Sequence, residues 1–573
     1  MYLESLTVEG FRRLKKLELR FCEGLNVLIG PNNAGKSAVV DALRVLLSTG
    51  DEGALRVTDY DIHVSAGEKS TQITFKYVFR GLDETEEADF LAALKPVNKM
   101  SAALEYEAHL SVRYSVADAG GRLRVKRWCG DHEENAITSE MLEELRAVYL
   151  PPLRDPAQGL RPSRSSQLSR LVQRLSDETS RKDVVDALTK FDDELKAKKP
   201  IADTQSAIIK RHTDMLGVVL SQQLAVGLSP SDFAKVAARL ALVVADLEVE
   251  QNGLGFNNLI YMAVVLSELS LSKEASYRAL IIEEPEAHLH PQLQAVLLQY
   301  LRAVETPGLG EKAVQIFVTS HSPNFAALAD IDSIGCVYHA TAGVDAFFPR
   351  DVEFDKRKKE KLQRYLNVTR AEIFFARRII FVEGAAELFI VEALAQKLDI
   401  DLRKHSVSVI SADGLNFDAF LPLFGEKALK IPVAVITDSD PPGVYPKVGE
   451  HPEPSSAAKS IAACTSEYIK PFFASKTLEY DLALTSKNRT TMLAALKELH
   501  PGIAKDLEEQ INVAMEDEKA RVLFKGMFER GDGKANVKKG AFGQALAQAV
   551  IYDGFDLDVP GYLKDALTFV TAT

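Results

Sequence analysis

Residues 25–37 read LNVLIGPNNAGKS, an apolar stretch that runs into a glycine-rich loop and then into an apolar helical pattern. This is the complete GxxxxGKS/T phosphate-binding pattern in the strand–loop–helix setting that it requires. Glycines let backbone N–H groups curl around phosphate oxygens, and the helix N-terminus adds a favourable dipole. The pattern predicts an ATP site formed by Gly30, Asn32, Asn33, Gly35, Lys36 and Ser37. In it, Lys36 would bridge the β- and γ-phosphates and Ser37 would hold Mg²⁺.

A second element of a nucleotide site lies at residues 279–286, ALIIEEPE. An apolar strand that ends in two carboxylates is what a Walker B site requires, because one carboxylate binds Mg²⁺ and the other activates the attacking water. We assign the metal-side role to Glu283 and the catalytic role to Glu284. Asp is more usual at the first position, so Glu283 is a departure. An acidic helix cap after a strand is the simpler alternative.

Two further segments fit the same site. Residues 316–325, IFVTSHSPNF, predict a strand followed by His321, which would reach the γ-phosphate as a catalytic switch residue. Residues 251–260, QNGLGFNNLI, place Gly253 and Gly255 before a helix and ahead of the Walker B strand. That is the place for a signature segment, which binds a nucleotide held by a second copy. A structural histidine and a glycine-rich helix start are the alternatives.

Together with EPEAHLHP at 284–291, these segments resemble the ABC-type ATPase heads of SMC and RecF proteins. The opening VEGFRRLKKLEL resembles the first strands of those heads, where a Phe-Arg pair lies near the nucleotide base. Heads of this kind act in pairs, and this chain contains one. The resemblance therefore implies a homodimer or higher homo-oligomer.

Downstream, two apolar strands end in acidic residues. Residues 379–384, IIFVEG, end at Glu383, and Glu387 follows one turn into the next helix. Residues 433–440, VAVITDSD, end at Asp438 and Asp440. Acidic groups at the carboxyl ends of parallel strands meet at one edge of the sheet, where oxygen ligands suit Mg²⁺ or Mn²⁺. Two buried strands with acidic caps are the simpler alternative.

This order of strands and carboxylates resembles the Toprim pattern of topoisomerases, primases and certain nucleases. Residues 476–482, KTLEYDL, add Glu479, and residues 537–542, VKKGAF, add Lys539 before a helix. With the ATPase head, the chain resembles the OLD (overcoming lysogenisation defect) family, which includes the nuclease subunit of the Gabija anti-phage system. The resemblance implies two metal ions bound by Glu383, Glu387, Asp438, Asp440 and Glu479. It also implies that Glu383 helps position the attacking water and that Lys539 stabilises charge on the scissile phosphate.

The predicted fold class is α/β: an ABC-type ATPase head with a helical insertion, followed by a Toprim α/β domain. The expected boundaries are residues 1–162 and 249–350 for the ATPase, 163–248 for the insertion, 351–377 for a linker and 378–573 for the Toprim domain. Three- and four-residue apolar spacing predicts helices through the insertion, including its last stretch at 241–250. We expect the insertion to mediate dimerisation.

The composition limits the class of protein. The chain has 573 residues, too many for one hydrophobic core, and a net charge of -12. The N-terminus lacks the apolar run of a signal peptide, and no stretch approaches the ~18 apolar residues of a membrane span, so we expect a cytoplasmic protein. Basic clusters at 356–359 and 534–539 are either DNA contacts or solvated faces. Four scattered cysteines disfavour a zinc site.

The leading hypothesis is an ATP-controlled DNA endonuclease in anti-phage defence or DNA processing. Its cofactors would be ATP and Mg²⁺, with Mn²⁺ or Ca²⁺ as possible substitutes, and a UvrD-like helicase is a possible partner. A RecF-like repair clamp without nuclease activity is the alternative, and the Toprim carboxylates argue against it. A topoisomerase would need a tyrosine nucleophile on a separate DNA-breakage domain, and none is evident.

Overall fold

The computed structural model describes residues 1–48, 55–65, 68–97, 105–117, 121–152, 154–164, 166–228, 232–244, 247–272, 275–309, 311–340, 343–354, 356–450, 452–531 and 535–572. The chain divides into two compact units. The first comprises Met1–Phe11, Arg20–Asn26 and Ser37–Thr319, and the second comprises Arg12–Leu19, Val27–Lys36 and Ser320–Thr573. The domain boundaries expected from the sequence stay a prediction.

The first unit contains an antiparallel sheet. Its strands pair in the order Tyr2–Phe11, Gln72–Arg80, Tyr106–Val116 and Leu94–Pro96, and Leu123–Cys129 also pairs with Tyr106–Val116. Ile73, Phe75, Tyr77 and Phe79 are all fully buried. Every second residue of this strand therefore lies on the core face, as the pleat of a strand requires. The small hairpin Val64–Ser65 and Glu68–Lys69 lies between these strands in the chain.

A parallel set of strands in the same unit carries the Walker B segment. Leu145–Leu150, Tyr277–Glu283 and Gln315–Ser320 pair in that order. All seven residues of Tyr277–Glu283 are buried, as expected for a strand covered on both faces. The strand ends at Glu283, so this carboxylate lies at the carboxyl edge of the sheet.

Helices account for much of the remainder of the first unit. They are Lys36–Leu47, Glu84–Asp89, Ser139–Glu143, Pro156–Leu160, Gln167–Leu175, Glu178–Lys196, Lys199–Leu220, Phe233–Ala237, Leu254–Ser270 and Pro291–Ala303. The predicted helix through 241–250 is wrong, because Val243–Val244 and Leu247–Glu248 form two short antiparallel strands. Val243 and Val244 are β-branched, which favours extended structure. Residues 245 and 246 lie outside the described ranges.

The second unit contains the phosphate-loop strand and its neighbours. Leu25–Ile29 pairs in parallel with Ile334–Ala340, which pairs in antiparallel with Gly343–Phe347. Leu14–Arg20 is a further strand, which ends at the first residue assigned back to the first unit. The segment at 351–377, expected as a linker, contains the helix Lys356–Tyr365 and the short 3₁₀ helix Arg370–Phe374. Leu362 and Ile373 are fully buried, so this segment is folded.

The second parallel sheet has the order Val407–Ser411, Arg378–Val382, Val433–Asp438 and Ile469–Ala474. Since these strands run in one direction, the residues after Val382 and Thr437 lie at the same edge. The helices of the unit are Pro323–Leu328, Lys356–Tyr365, Ala385–Lys397, Phe417–Phe420, Ser456–Ala462, Leu478–Ala483, Ser486–Leu499, Pro501–Val513, Lys519–Phe528, Lys539–Ile551 and Gly561–Thr571. Among the helices described, none is both long and apolar enough to cross a membrane.

A buried carboxylate connects three elements of the first unit. Glu268, on the helix Leu254–Ser270, is 0% exposed. It accepts hydrogen bonds of 2.6 Å from Arg146, on the strand beside Tyr277–Glu283, and from Arg174, on the helix Gln167–Leu175. Burial lowers the pKa of Arg146, and the Glu268 charge opposes that shift. One carboxylate therefore compensates two arginines that are largely removed from water.

Replacing Glu268 by Ala should destabilise the protein by about 3 kcal/mol, because two largely buried guanidinium groups lose their counter-charge. The measurement is the midpoint of urea unfolding. Glu133→Ala is the matched control, since Glu133 also bonds an arginine and a lysine, Arg113 and Lys126, but at the surface. Surface pairs contribute little, so the control should unfold near the wild-type midpoint. Equal midpoints for both variants would show that Glu268 stabilises the protein no more than a surface carboxylate does.

Candidate ATP and metal sites

The phosphate loop has the backbone conformation that its glycines permit. Gly30 and Gly35 have φ of 147° and 107°, and Asn33 has φ of 63°. A Cβ at Gly30 would lie 2.0 Å from the carbonyl oxygen of Val337, so no other residue fits there. Lys36 is buried, and its Nζ donates to the carbonyl oxygens of Gly30 at 2.6 Å and Pro31 at 2.9 Å. Lys36 is thus held against the loop that the sequence predicts to bind phosphate.

Two residues that the sequence analysis missed contact the same loop. Arg13 Nη1 donates to the carbonyl oxygen of Asn33 at 3.2 Å, and His339 Nε2 lies 3.0 Å from the same oxygen. Arg13 directly follows the Phe-Arg pair of the opening strand, which was the available signal. His339 is more than 300 residues away in sequence, and no local pattern marks it.

In the first unit, Ser37 and Glu283 are brought together as predicted. Ser37 Oγ donates to Glu283 Oε2 at 2.9 Å, and the hydroxyl of Tyr149 donates to Glu283 Oε1 at 2.6 Å. Burial and the hydrogen bond to Glu283 raise the pKa of Tyr149, so its proton stays on the phenol. A hydroxyl and a carboxylate in contact are the pair that holds Mg²⁺ in nucleotide sites of this kind.

Glu284 occupies an unusual backbone position. Its φ is 47°, in the left-handed region, and its N–H donates to the carbonyl oxygen of Thr319 at 2.9 Å. Such conformations cost roughly 1–3 kcal/mol for a residue other than glycine and are frequent at active sites. The conformation turns the chain sharply after the Walker B strand. The catalytic role of Glu284 stays a prediction.

An arginine connects the Walker B strand to the signature segment. Arg154 Nε donates to Asn258 Oδ1 at 2.7 Å, and its Nη1 donates to the carbonyl oxygen of Glu283 at 3.0 Å. Burial lowers the pKa of Arg154 to about 10, so the group remains charged at neutral pH. The sequence analysis missed Arg154 because its partners lie 104 and 129 residues away.

The glycines of the signature segment differ in their surroundings. A Cβ at Gly255 would lie 2.7 Å from the carbonyl oxygen of His288, so packing alone requires glycine there. Gly253 caps the helix Leu254–Ser270, and within the described ranges no residue beyond its neighbours in the chain comes within 4 Å of where its Cβ would be. Leu254 and Phe256 beside it are exposed. Nucleotide contact by Gly253 and Gly255 stays a prediction.

His321 lies where the sequence places it, directly after the strand Gln315–Ser320. The next helix begins at Pro323, and its N-cap Ser322 accepts from the N–H of Phe325 at 3.3 Å. The turn that carries His321 is therefore fixed on both sides by regular structure. Contact between His321 and a γ-phosphate stays a prediction.

In the second unit, Glu383 and Asp438 lie side by side at the edge of the parallel sheet. Glu383 Oε1 accepts hydrogen bonds from Thr437 Oγ1 at 2.5 Å and from the N–H of Asp438 at 2.8 Å. Asp438 Oδ1 accepts from the N–H of Leu478 at 3.0 Å. Glu387, buried one turn into the following helix, accepts from the N–H of Gly384 at 3.0 Å. Neighbouring strands thus bring these carboxylates together.

Glu479 is the most buried carboxylate of this cluster, and the more exposed Lys539 pairs with it. Glu479 is 0% exposed, and its Oε2 accepts from Lys539 Nζ at 2.9 Å and from Thr477 Oγ1 at 3.0 Å. Its Oε1 is buried with no hydrogen-bond partner among the residues described. Gly543 brings the Lys539 helix close to the Glu387 helix, since a Cβ there would lie 2.7 Å from Ala386 Cα.

The mutual electrostatics show that the cluster is one site. Burial, and then the charges of Glu383 and Glu479, raise the pKa of Asp438. Burial also raises the pKa of Glu387, with Glu479 and Glu383 adding to the shift. For Lys539, burial alone would lower the pKa, but the charges of Glu479 and Asp438 outweigh it and leave the pKa raised. Four carboxylates therefore act on one another, and Lys539 acts on three of them, so negative charge is in excess.

Divalent cations fit this chemistry. Within the described ranges, no three His, Cys, Asp or Glu side chains are placed to hold a metal ion together. The unpartnered Oε1 of Glu479 and the excess of carboxylates nevertheless call for a cation of higher charge. Asp440 is exposed, with φ of 41°. Its predicted role as a ligand stays a prediction.

A cavity of about 580 Å³ lies beside this cluster. Ser439, between the two aspartates, lines it together with Ser475, Asp481, Phe473 and Tyr562. The volume is in the range of sites that hold small organic ligands. A nucleotide-sized group therefore has space next to the carboxylates.

Comparison with known proteins agrees with this division of sites. Residues 1–116 and 132–326 match the AAA ATPase domain family. Residues 374–440 match the family described as "Overcoming lysogenization defect protein-like, TOPRIM domain". The second match contains Glu383, Glu387, Asp438 and Asp440.

Individual relatives point in the same direction. The chain is 25% identical to an OLD nuclease from Thermus scotoductus over 468 residues, 76% of this chain and 82% of the relative. It is 26% identical to endonuclease GajA from Bacillus cereus over 215 residues, 33% of this chain but only 31% of GajA. Similarity to the DNA replication and repair protein RecF of Caldanaerobacter subterraneus, at 50% identity, is confined to 46 residues, 8% of this chain and 13% of that protein.

These matches confirm the α/β fold class and the prediction of an ATPase joined to a Toprim nuclease domain of the OLD type. The two domains imply the use of a nucleotide and a divalent metal. The chain belongs to the AAA ATPase domain family and carries, downstream, a Toprim domain of the overcoming lysogenization defect type.

Proposed function

We propose that the chain is an ATP-controlled, Mg²⁺-dependent DNA endonuclease. The observation that carries the proposal is the cluster of four interacting carboxylates, Glu383, Glu387, Asp438 and Glu479, of which Glu479 pairs with Lys539. A clamp without phosphodiester chemistry has no need for four carboxylates at one sheet edge. The names of two relatives, OLD nuclease and endonuclease GajA, support the same activity. The short RecF match gives little support to the clamp alternative.

In the ATPase, each residue acts according to its contacts. Ser37 and Glu283 share a hydrogen bond and present their oxygens to the nucleotide-bound cation. Lys36 holds the loop carbonyls and neutralises phosphate charge when ATP binds. Glu284 orients the attacking water, and His321 responds to the γ-phosphate. Arg154 keeps the Walker B strand in register with the signature helix.

In the nuclease, Glu383, Glu387, Asp438 and Glu479 would hold the divalent cations, with Asp440 at the exposed rim. When bound, such ions supply an activated water and stabilise the departing oxygen of a phosphodiester. Glu383, held by Thr437 and the Asp438 N–H, orients that water. Lys539 remains protonated because of its carboxylate neighbours, and its ammonium stabilises negative charge on the scissile phosphate.

The biological setting follows from the proposed activity. Anti-phage defence or DNA processing is the role that an ATP-controlled nuclease of this family would serve. A helicase partner of the UvrD type and the use of Mn²⁺ or Ca²⁺ in place of Mg²⁺ remain predictions. Within the basic cluster at 356–359, Lys359 forms an ion pair with Asp332, so part of that cluster is structural. Lys534 of the second basic cluster lies outside the described ranges.

Dimerisation through the insertion has a specific candidate surface. The helix Lys199–Leu220 is interrupted at Gly217, where φ is 73°. Around this break Met215, Val218 and Val219 are 80%, 83% and 95% exposed. A group of adjacent, exposed apolar side chains is typical of a surface that contacts another molecule. We propose that a second copy of the chain covers them.

Replacing Glu383 by Gln should reduce DNA cleavage by roughly 10²–10³-fold while ATP hydrolysis is retained, because the variant keeps the shape but loses the charge that holds metal and water. Lys36→Ala is the complementary variant and should lose ATP hydrolysis but keep metal-dependent nicking. Both activities are measured on one preparation, by nicking of supercoiled DNA and by phosphate release. Near-normal nicking by Glu383→Gln would contradict the nuclease assignment and favour the RecF-like clamp.

Adding Mg²⁺ or Mn²⁺ without nucleotide should raise the melting temperature, by a stabilisation of about 2.7 kcal/mol at about 100 times the dissociation constant. Glu479→Gln should remove most of this rise, whereas Glu453→Gln, at an exposed carboxylate paired with Lys459, should keep it. Since the pKa of Asp438 and Glu387 is raised, protons should displace metal as the pH falls through those values. A metal-induced rise that is unchanged in Glu479→Gln would place the cation elsewhere.

Replacing Val218 and Val219 together by Asp should convert the oligomer to a monomer, because charge cannot be buried in an apolar contact. Light scattering at several protein concentrations measures the mass. Val513→Asp is the control, since Val513 is also an exposed valine at the end of a helix. A dimer that survives the double substitution would assign the insertion a different role.

A further inference from the structure

Three cations surround one aromatic ring in the second unit. Lys476 Nζ, Arg521 Cζ and Lys525 Nζ lie 4.5, 5.1 and 4.9 Å from the ring centroid of Tyr445. A single cation over an aromatic face is a common and favourable contact. Three positive charges at one ring repel one another, and the ring quadrupole offsets only part of that repulsion. The Tyr445 hydroxyl donates to Glu529, which supplies one negative charge at the edge of the cluster.

Lys476 is the unusual member of this cluster. Its side chain is only 7% exposed. Within the part of the chain that the structure describes, its ammonium forms no ion pair, and neither do Arg521 and Lys525. An ammonium group removed from water without a counter-charge is costly. No carboxylate of the described residues therefore pairs directly with any of these three cations.

The cluster lies next to the Toprim carboxylates. The N–H of Asp440 donates to the carbonyl oxygen of Lys476 at 3.1 Å. The Tyr445 ring contacts the ring of Tyr480, which directly follows Glu479, at a centroid distance of 5.8 Å. Phe524, between the two cations of the helix Lys519–Phe528, contacts Tyr480 at 5.6 Å. Arg521 and Lys525 lie one turn apart on this helix, and both approach the Tyr445 ring.

We propose that Lys476, Arg521 and Lys525 bind a backbone phosphate of the DNA strand, beside the phosphate that is cleaved. This proposal deepens the nuclease function and rests on it. A phosphate diester carries the negative charge that the cluster lacks, and guanidinium and ammonium groups are its usual ligands. The position also solves an electrostatic problem. The carboxylate cluster repels a DNA strand, and adjacent cations hold that strand in place while the scissile phosphate approaches the metal ligands.

The test measures binding of a labelled DNA duplex to the full-length protein by fluorescence anisotropy, in Ca²⁺, with a gel to confirm that the duplex stays intact. Arg521→Gln and Lys525→Gln should each lower the slope of log affinity against log salt concentration by about one, and the double variant by about two. Lys476→Gln should act in the same way, and Lys476→Arg should restore the slope. The loss should be equal for duplexes of different sequence, because phosphates carry no sequence information.

Lys519→Gln is the matched control, because Lys519 lies on the same helix but is paired with Glu516 at 2.8 Å. Its salt slope should equal that of the wild type. Melting temperatures confirm that each variant is folded, and the exposed Arg521 allows the test even if Lys476→Gln unfolds. A wild-type slope in the Arg521→Gln and Lys525→Gln double variant would overturn the proposal. So would loss of mononucleotide binding, measured with dTMP, without any change in duplex binding.

The outcomes separate this proposal from the nuclease function. A wild-type protein that cleaves DNA, with variants that keep its salt slope, would retain the function and reject the phosphate site. A wild-type protein that binds DNA through the three cations but never cleaves it would retain the site and reject the function. Absence of any duplex binding by the wild type would reject both.

Discussion

The ion pair between Lys539 and the fully buried Glu479 is the contact on which the Toprim site depends. Burying carboxylates near one another is unfavourable unless positive charge is placed among them. Lys539 supplies one such charge, and the close approach of its helix at Gly543 fixes where that charge lies. Burial, and then the remaining excess of negative charge, raises the pKa of Asp438 and Glu387. The same excess of negative charge favours the binding of a divalent cation.

The ATPase half also contains a buried carboxylate, but the groups that bond to it differ from those of the Toprim site. Glu283 is buried at the end of an apolar strand, and two hydroxyls rather than a cation satisfy its oxygens. A carboxylate held by hydroxyl groups stays negatively charged overall and so remains attractive to a metal ion. Glu268, farther from the nucleotide residues, is instead neutralised by two arginines. The first arrangement suits binding of a cation, whereas the second suits structural connection.

Local sequence patterns predicted the phosphate loop, the Walker B strand, and the strands ending at Glu383 and Asp438, because each depends on neighbours in the chain. Contacts between distant segments left no such pattern. Tyr149, Arg154 and His339 reach their partners across more than 100 residues, and composition alone cannot pair them. The helix expected through 241–250 was wrong because apolar spacing in a valine-rich stretch fits a strand as well as a helix. For Gly255, the structure adds a packing reason for glycine that the sequence pattern did not contain.

The two hydrogen bonds of Arg154 have a mechanical consequence. One guanidinium bonds both the start of the signature helix, through Asn258, and the last residue of the Walker B strand, through the carbonyl of Glu283. Sliding either element by the length of a hydrogen bond would leave a buried charge unsolvated, and each such bond contributes about 1.5–3 kcal/mol. Arg154 therefore couples the start of the signature helix to the end of the Walker B strand. A displacement of one element is thus transmitted to the other through the Arg154 guanidinium.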